Sequence, residues 1–352
     1  MRLASFEVIP YALPFREPYV TARGRLARRE MVLLRLRSEE GLVGLGEAVP
    51  LSLRGGATIE TVVEELRLLE GLETLDEADV ASGMAALSAP TRCAVLTALL
   101  DLRGRIADPG GQSSAADPDP VACNATLVAG EPAAVADDAL RWAGEGYSTF
   151  KLKLGAGDDV GQVRAVREAL GAAARIRVDA NAAWDVERAK RTLAELEEMD
   201  IELAEQPVAT LEEAAEVAAS TSIPIAGDES VESRSDAERA VSMAACGLAG
   251  VKLSKVGGPL EAIAIAEVVP SYMSSALDGP VGIAAAAQVA QTLREGALVG
   301  ALELAHGLAT QRLFASTIAA VECELRAGML HTPAGPGLGI EIDEDALDAH
   351  RL

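Results

Sequence analysis

The chain is poor in aromatic residues, which limits how its core can be built, and in basic residues, which limits what it can bind. Only 3% of its 352 residues are Phe, Trp or Tyr, so the core must be built from Ala, Val, Leu and Ile. Lys and Arg number 31 against 54 Asp and Glu, which gives a net charge of −23. Binding to nucleic acid or to an anionic membrane needs a basic face, so both are disfavoured. An anionic substrate would need a local cluster of cations.

Cysteine, histidine and long apolar runs are also scarce. The four cysteines are scattered, without a C-x-x-C pair, which predicts core thiols in a reducing compartment. Three histidines are too few for a His-rich zinc site or a Ser-His-Asp site unless His306 carries it. No apolar run approaches the roughly 18 residues of a membrane span, and the start MRLASFEVIPYALPF lacks a signal-peptide pattern. We expect a cytoplasmic protein.

The first third of the chain has an α+β pattern. Strands are predicted at 2–12 and 31–37, a turn and strand at 41–50, and helices at 58–69 and 91–106. Residues 1–108 are therefore predicted to form a first domain. The stretch 109–120, rich in Gly, Pro, Ser and Asp, is predicted to be a linker.

From Val121 onward, short apolar strands alternate with amphipathic helices. Strands are predicted at 122–126, 149–154, 176–179, 203–205, 225–228, 250–253, 272–275 and 302–305. Consecutive parallel strands need helical crossovers, so the pattern predicts an α/β fold, a modified TIM barrel of (β/α)7β type over residues 121–318. Two helix starts, Thr210–Glu213 and Ser235–Glu238, fit the capping box. Residues 319–352 are predicted to return to the first domain.

Five charged residues end consecutive predicted strands: Lys153, Asp179, Glu205, Asp228 and Lys252. Their separations are 26, 26, 23 and 24 residues, each about one strand-plus-helix unit. Because strand C-termini meet at the mouth of a barrel, we expect these five side chains to line one shared cavity there, which we call the cup. A single Asp after a strand is often only a helix N-cap, but five charges in succession indicate a site.

The residue types in the cup indicate the chemistry. Three carboxylates form an all-oxygen set that suits Mg²⁺, with Mn²⁺ as an alternative. Lys151 and Lys153 lie two apart on one strand, and their mutual repulsion favours a neutral, basic lysine. Lys252 enters from the opposite side, and Lys255 is the runner-up there. Two lysines facing a divalent ion are suited to removing a proton next to a carboxylate, so a small anionic carboxylate is the expected substrate.

The motifs around these residues resemble the enolase superfamily, in its muconate-lactonizing subgroup. They are KLKLG (151–155), RVDANAAW (177–184), AEQP (204–207), GDES (227–230) and VKLSKVGG (251–258). The resemblance implies that Asp179, Glu205 and Asp228 bind Mg²⁺ and that Lys153 is the acid/base, with Lys252 as its counterpart. It also implies that the first domain, joined by the C-terminal tail, caps the barrel and that the loop around 18–25 closes over substrate.

Within the subgroup, two segments resemble the o-succinylbenzoate synthases of menaquinone biosynthesis: SSALDGPVGIAAAAQVA (274–290) and HGLAT (306–310). This resemblance implies dehydration of 2-succinyl-6-hydroxy-2,4-cyclohexadiene-1-carboxylate. Supporting or substrate-binding roles are expected for Lys151, Asn181, Ser274 and Ser275.

Three alternatives stay open: an N-acylamino acid racemase or dipeptide epimerase, a muconate-type cycloisomerase, and a non-catalytic protein with a degenerate site. Residues 303–305 lack the Asp-x-Asp that epimerases of the subgroup usually carry, and none of the five charged residues is lost. The sequence leaves open the role of His306 and whether copies of the chain associate.

Overall fold

The first part of the chain is an antiparallel sheet covered by two helices. The structure, a computed structural model, describes residues 2–21, 24–52, 55–70, 74, 84–108, 118–295 and 304–352. The sheet has the order β1 (Leu3–Thr21), β2 (Gly24–Ser38) and β3 (Val43–Ala48), and the helices are α1 (Ile59–Arg67) and α2 (Ala89–Ala107). These elements confirm the predicted α+β pattern, with longer strands than alternation indicated.

The central strand β2 is buried on both faces over residues 31–34, which explains why these four consecutive residues are apolar. Val32 and Leu34 pack with α1 and α2, whereas Met31 and Leu33 belong to the core shared with the barrel. Successive side chains of a strand point to opposite faces, so a strand between two layers reads as continuously hydrophobic. The sheet therefore joins the two halves of the molecule.

The second part confirms the predicted parallel barrel. A short strand, β4 (Val121–Ala122), comes first and pairs antiparallel with residues 329–330 of the C-terminal tail. The barrel strands are β5 (Ala125–Leu127), β6 (Thr149–Lys153), β7 (Arg175–Asp179), β8 (Ile201–Glu205), β9 (Ile225–Gly227), β10 (Leu248–Val251) and β11 (Ser271–Met273). Its helices are α3 (Pro132–Gly144), α4 (Asp159–Leu170), α5 (Val186–Leu196), α6 (Leu211–Ala218), α7 (Arg234–Ser242), α8 (Leu253–Val256), α9 (Pro259–Ala266) and α10 (Pro280–Glu295). A 3-10 turn, Glu197–Met199, follows α5. Strands β5 to β11 pair in sequence order as one parallel sheet.

The two edges of this sheet are joined by isolated bridges. Cys123 pairs with His306, and Ser274 pairs with Gly307, both in parallel. The eighth strand was predicted at 302–305; residues 302 and 303 lie outside the described part of the chain, and 304–305 are not in a strand. The observed closure is at 306–307, slightly later in the chain than predicted.

The interior of the barrel is filled by apolar side chains that point inward, on the same side of their strands as the charged residues at the strand ends. Leu203, Ala226, Leu248 and Tyr272 form one buried cluster. Leu203 lies two residues before Glu205 on β8, so both point to the same side of the strand. The cluster is therefore the packed floor beneath the mouth.

One of the two predicted capping boxes is confirmed, and the other is wrong. Thr210 and Glu213 bond reciprocally at the start of α6. At α7 the N-cap is Ser233, whose hydroxyl accepts from the Asp236 N–H, rather than Ser235. Asp236 accepts in turn from the Ser233 hydroxyl, at 2.7 Å, so the acidic partner of the cap comes two residues earlier than the predicted Glu238.

The C-terminal tail packs against the first sheet. After a 3-10 turn (Ala309–Leu313), it forms β12 (Ala319–Val321), β13 (Glu324–Arg326), β14 (Met329–His331), β15 (Glu341–Ile342) and α11 (Glu344–His350). Glu344 pairs with Arg35 at 2.8 Å, and the Leu352 N–H donates to the Pro10 carbonyl. The division at 108, 120 and 318 stays a prediction, and most of the predicted linker (109–117) lies outside the described residues. No helix in the part that is described is long and apolar enough to cross a membrane.

Candidate active site

The five strand-end charges lie at one end of the barrel sheet. Lys153, Asp179 and Glu205 are the last residues of β6, β7 and β8, and each is the register partner of the next. Asp228 and Lys252 directly follow β9 and β10. The three carboxylates are buried, at 0%, 1% and 0% exposure. The predicted grouping is therefore present in the fold.

Lys151 connects two of the carboxylates. Its ammonium lies 2.8 Å from Asp179 Oδ2 and 2.7 Å from both Glu205 oxygens. Burial alone would lower the pKa of Lys151, but the charges of Asp179 and Glu205 outweigh it and raise this pKa above its usual range. Burial likewise opposes the Asp179 carboxylate, but Lys151 and Lys153 outweigh it and hold the pKa of Asp179 below its usual range. Lys151 is therefore a fixed cation of the site.

Lys153 has a different environment from Lys151, although the two lie on the same strand. Its ammonium lies 2.6 Å from Asp179 Oδ2 and 2.8 Å from the Asn181 amide oxygen. The Lys153 side chain is 24% exposed, against 6% for Lys151 and 9% for Lys252. Among these three lysines, Lys153 has the best access to a molecule arriving at the mouth.

The loop after Asp179 is held in a strained conformation. Asn181 and Ala182 have φ values of 47° and 60°, in the left-handed region. The Ala182 N–H donates to the Gln206 carbonyl at 2.7 Å, and the Asn181 N–H donates to Asp179 Oδ1 at 2.9 Å. Such strain persists only where neighbouring contacts hold it. The strained loop places the Asn181 amide oxygen within hydrogen-bond distance of the Lys153 ammonium.

Asp228 is bonded by two lysines rather than one. Lys252 contacts its Oδ2, and Lys255 lies 2.8 Å from its Oδ1 and also contacts its carbonyl oxygen. The sequence ranked Lys255 second because it looked like part of a loop, but α8 places it against Asp228. The pair Lys252 and Lys255 lies across the cup from Lys153.

Gln206 is a residue of the site that sequence reasoning missed. Its amide oxygen accepts from the Asp228 N–H at 2.8 Å and from both the N–H and the hydroxyl of Ser230. Gln206 itself has a φ of 40°. The motifs AEQP and GDES therefore meet through this one side chain, which holds the loop that carries Asp228.

The cup gathers cations although the chain as a whole is strongly acidic. Four ammonium groups (Lys151, Lys153, Lys252, Lys255) lie against the three carboxylates, and a fourth carboxylate, Glu229, accepts from the Asn181 amide, which gives 4 − 4 = 0. The chain as a whole carries −23. The four lysines thus supply local cations for an anionic substrate in a chain that is otherwise acidic.

The carboxylates fit a hard divalent cation in donor chemistry. They supply only oxygen, the donor that Mg²⁺ takes in proteins, and they share one end of the barrel sheet. Among the described residues, however, no three His, Cys, Asp or Glu side chains are grouped as a formed metal site. Lysine ammonium groups lie against all three acids. A metal ion would replace part of these contacts.

Tyr272 is a second residue that the sequence did not reveal. It lies on β11 with 0% exposure, and its hydroxyl donates to Glu205 Oε2. The guanidinium of Arg177 lies over the ring, with Cζ 5.0 Å from the ring centroid. Burial, together with the charge of Glu205, raises the pKa of Tyr272 well above its usual value. Tyr272 is therefore a hydrogen-bond donor to a site carboxylate.

The predicted serines lie beside the cup, with different bonding. Ser274 directly follows β11, and a Cβ on Gly307 would lie 3.0 Å from its hydroxyl oxygen. The Ser275 hydroxyl donates to Asp278 at 2.6 Å and accepts from the Thr310 hydroxyl at 2.8 Å. Ser275 thus structures its own loop, and its contact with substrate stays a prediction.

His306 closes the barrel beside these serines. Its Nδ1 accepts from the Met273 N–H at 2.9 Å, which places the ring proton of the neutral form on Nε2. The ring is buried. This bond gives His306 a structural function at the closure, next to the site.

The first sheet contacts the barrel through a buried carboxylate, Glu47. Its Oε2 accepts from the Tyr11 hydroxyl at 2.9 Å, and its Oε1 accepts from the Gly279 N–H, just before α10, at 2.7 Å. A Cβ on Gly279 would lie 2.6 Å from Glu47 Oε2, so only glycine leaves room. Burial, with the charge of Asp278, raises the pKa of Glu47 to about 7. Glu47 thus docks the sheet on the loop that follows Ser274.

A cavity of about 690 Å³ opens beside this contact. Its walls include Leu13, Arg16, Asp278, Phe314 and Thr317, but none of the five strand-end charges. The predicted closing loop, 18–25, is only partly described, because residues 22 and 23 lie outside the described part.

Two family models together cover most of the chain. Residues 134–346 match the model described as enolase C-terminal domain-like. Residues 5–109 match the model of the mandelate racemase / muconate lactonizing enzyme N-terminal domain.

Individual relatives have several different activities. A chloromuconate cycloisomerase of Cupriavidus pinatubonensis is 30% identical over 95% of this chain and 94% of its own length. An o-succinylbenzoate synthase of Thermobifida fusca is 39% identical, over 55% of this chain and 61% of that protein.

Two solved structures have the same fold. A muconate lactonizing enzyme from Pseudomonas fluorescens, complexed with muconolactone, superposes with a TM-score of 0.88 at 27% identity, over the full length of both chains. A dipeptide epimerase from Enterococcus faecalis, complexed with Mg and the dipeptide L-Leu-L-Tyr, has a TM-score of 0.85 at 26% identity, over 97% of this chain and 100% of that one.

Proposed function

The chain belongs to the enolase superfamily, and from this premise we propose that it is an o-succinylbenzoate synthase. The reaction would dehydrate 2-succinyl-6-hydroxy-2,4-cyclohexadiene-1-carboxylate to 2-succinylbenzoate, as a step of menaquinone biosynthesis. One observation carries the proposal: Lys153 and Lys252 lie on opposite sides of three buried carboxylates, with Lys153 the more exposed. The 39% identity to the synthase of Thermobifida fusca supports this choice within the superfamily.

We assign the metal-binding residues as Asp179, Glu205 and Asp228, with Mg²⁺ as the expected ion and Mn²⁺ as an alternative. Their all-oxygen chemistry suits this ion, and the Enterococcus faecalis epimerase has Mg in its structure. The ion would neutralise charge at the substrate carboxylate. Lys151, which bonds Asp179 and Glu205, keeps these two acids in place.

The reaction follows from the positions of the two lysines. Lys153, in its neutral form, takes the proton alpha to the substrate carboxylate, and the electrons of the C–H bond pass into an enediolate. The C–O bond of the ring hydroxyl then breaks, and Lys153 returns its proton to the departing oxygen, so that water leaves and the ring becomes aromatic. Lys252 stays protonated on the other face and stabilises the enediolate by charge and by a cation–π contact with the ring.

Asn181 is assigned a supporting function, because its amide oxygen orients the Lys153 ammonium at 2.8 Å. Ser274, at the end of β11, is assigned to substrate binding, and Ser275 to the same wall through its loop. We place the reaction in the cytoplasm; the support is that all four cysteines are buried and unpaired, as a reducing compartment favours.

The alternative is an isomerase. The cycloisomerase relative aligns over 95% of this chain, a larger share than the synthase does. A racemase or dipeptide epimerase would use both Lys153 and Lys252 as bases, whereas a cycloisomerase would need only one lysine for protonation.

The deciding experiment is a Mg²⁺-dependent ultraviolet assay for aromatic product. The purified chain is given the cyclohexadiene substrate, N-succinylamino acids, dipeptides and cis,cis-muconate in parallel. The synthase proposal predicts fastest turnover of the cyclohexadiene. Faster racemisation of an amino-acid derivative, with exchange of the α-proton of both enantiomers in D₂O, would replace it with the racemase.

A further inference from the structure

Glu205 is held from inside the barrel as well as from the mouth. Lys151 donates to both of its oxygens at 2.7 Å, and the Tyr272 hydroxyl donates to Oε2. Tyr272 is fully buried, so no water competes for this bond. A carboxylate bonded on two sides has few rotamers open to it, and its remaining lone pairs have a fixed direction.

The space for the Tyr272 hydroxyl is provided by a glycine on the neighbouring strand. Gly250 on β10 is the register partner of Tyr272 on β11. A Cβ at position 250 would lie 2.9 Å from the Tyr272 hydroxyl oxygen, closer than real Cβ contacts. Any larger residue there would push the tyrosine away from Glu205.

Arg177 contacts the Tyr272 ring. Its Cζ lies 5.0 Å from the ring centroid, within the range of a cation–π contact. The guanidinium is itself anchored, because Nη1 donates to the Ala305 carbonyl at 2.6 Å and Nε donates to Glu202. The tyrosine thus contacts an anchored cation and a glycine, and its one hydrogen bond is directed at Glu205.

We infer that Tyr272 is a positioning residue for the divalent cation: its hydroxyl fixes the Glu205 carboxylate, and Gly250 makes this contact sterically accessible. This rests on the proposed function in one respect, the assignment of Glu205 as a ligand. Groups that orient metal ligands typically contribute about 10- to 100-fold to metal affinity.

The test is the affinity for Mg²⁺, measured by calorimetry on the full chain, with Mn²⁺ electron paramagnetic resonance as a second readout. Tyr272→Phe should weaken Mg²⁺ binding by about 10- to 100-fold and increase the sharp six-line signal of free Mn²⁺ at a given total Mn²⁺ concentration. Tyr11→Phe is the matched control, since it also removes a hydroxyl that a fully buried tyrosine donates to a buried glutamate. Its Mg²⁺ affinity should equal that of the wild type.

Gly250→Ala is a second route to the same result, because it displaces Tyr272 without removing its hydroxyl. It should also weaken Mg²⁺ binding, and it answers the question if Tyr272→Phe does not fold. Unchanged Mg²⁺ affinity in a folded Tyr272→Phe, or in a folded Gly250→Ala, would overturn the inference and leave Tyr272 as a packing residue. A wild-type chain that binds no Mg²⁺ would instead overturn the metal site of the proposed function.

Discussion

The molecule contains two buried tyrosine–glutamate pairs with the same bond and opposite surroundings. In the barrel, Tyr272 donates to Glu205, which also accepts from the Lys151 ammonium. Between the first sheet and the barrel, Tyr11 donates to Glu47, whose neighbour is the Asp278 carboxylate. The comparison teaches that one hydrogen-bond motif serves two purposes: among lysines it fixes a carboxylate of the cup, and beside another acid it forms a docking contact.

The most severe change to the barrel side of this comparison is Lys153→Ala. If Lys153 is the base, turnover should fall by about 10²–10⁴-fold, the usual contribution of a general base. Solvent-deuterium incorporation into the substrate should fall with it. The measurement is steady-state turnover together with mass spectrometry of substrate recovered from D₂O.

The control for Lys153→Ala is Lys190→Ala, which removes a partly exposed lysine paired with Glu216 on the outside of the barrel. It should leave turnover unchanged. Full deuterium exchange by Lys153→Ala would show that another group removes the proton.

The docking pair should give the chain a pH-dependent stability. The pKa of Glu47 is raised from 4.5 to about 7, so the folded state keeps a proton that the unfolded state has lost. Stability should therefore fall as pH rises from about 4.5 to 7 and level off above, by up to about 3 kcal/mol for this one group. Glu47→Gln, which does not titrate, should reduce this slope.

The measurement is urea unfolding of both proteins at pH 5 and pH 8. Because other groups titrate in the same range, the relevant quantity is the difference between wild type and Glu47→Gln. An equal pH dependence in the two would show that Glu47 is ionised throughout.

Tyr11→Phe removes the hydrogen bond between Tyr11 and Glu47, and we expect it to change stability less than the titration of Glu47 does. It removes one of the donors to Glu47, and leaving this buried carboxyl group without that partner should cost about 1–3 kcal/mol of unfolding free energy. Mg²⁺ affinity should not change, since the pair lies outside the cup. Chemical denaturation and calorimetry on the same preparation measure both quantities.

The smallest expected effect is the coupling between the two pairs. The free-energy changes of Tyr11→Phe and Tyr272→Phe should add in the double variant to within about 0.5 kcal/mol, as they do for distant sites without shared partners. A larger coupling in unfolding free energy would mean that docking of the first sheet and the order of the strand-end residues are one cooperative unit.

The site residues that could be predicted from the sequence are charged residues in otherwise apolar strands. A charge at the end of a buried strand has no structural purpose, so Lys153, Asp179 and Glu205 were recognisable, and their spacing placed them in one cup. Tyr272 was not recognisable, because an aromatic residue in an apolar strand looks like core. Its function depends on a gap at Gly250 that only the register of two strands reveals.

Other contacts depend on distance along the chain or on local competition. Glu47 and Gly279 are 232 residues apart, and no short pattern predicts their contact. Gln206 holds the loop of Asp228 from a left-handed backbone conformation, which cannot be predicted from the residue type. The α7 capping box was assigned to Ser235 although Ser233, two residues earlier, had an acidic partner in range.

The central claim is that Asp179, Glu205 and Asp228 bind one divalent ion between two lysines. Anomalous diffraction from crystals grown with Mn²⁺ tests it most directly. The account predicts one strong peak at the mouth of the barrel, at about 2.0–2.3 Å from a carboxylate oxygen of each of the three residues. A peak bound elsewhere, or three acids still fully occupied by Lys151, Lys252 and Lys255 with no ion among them, would contradict it.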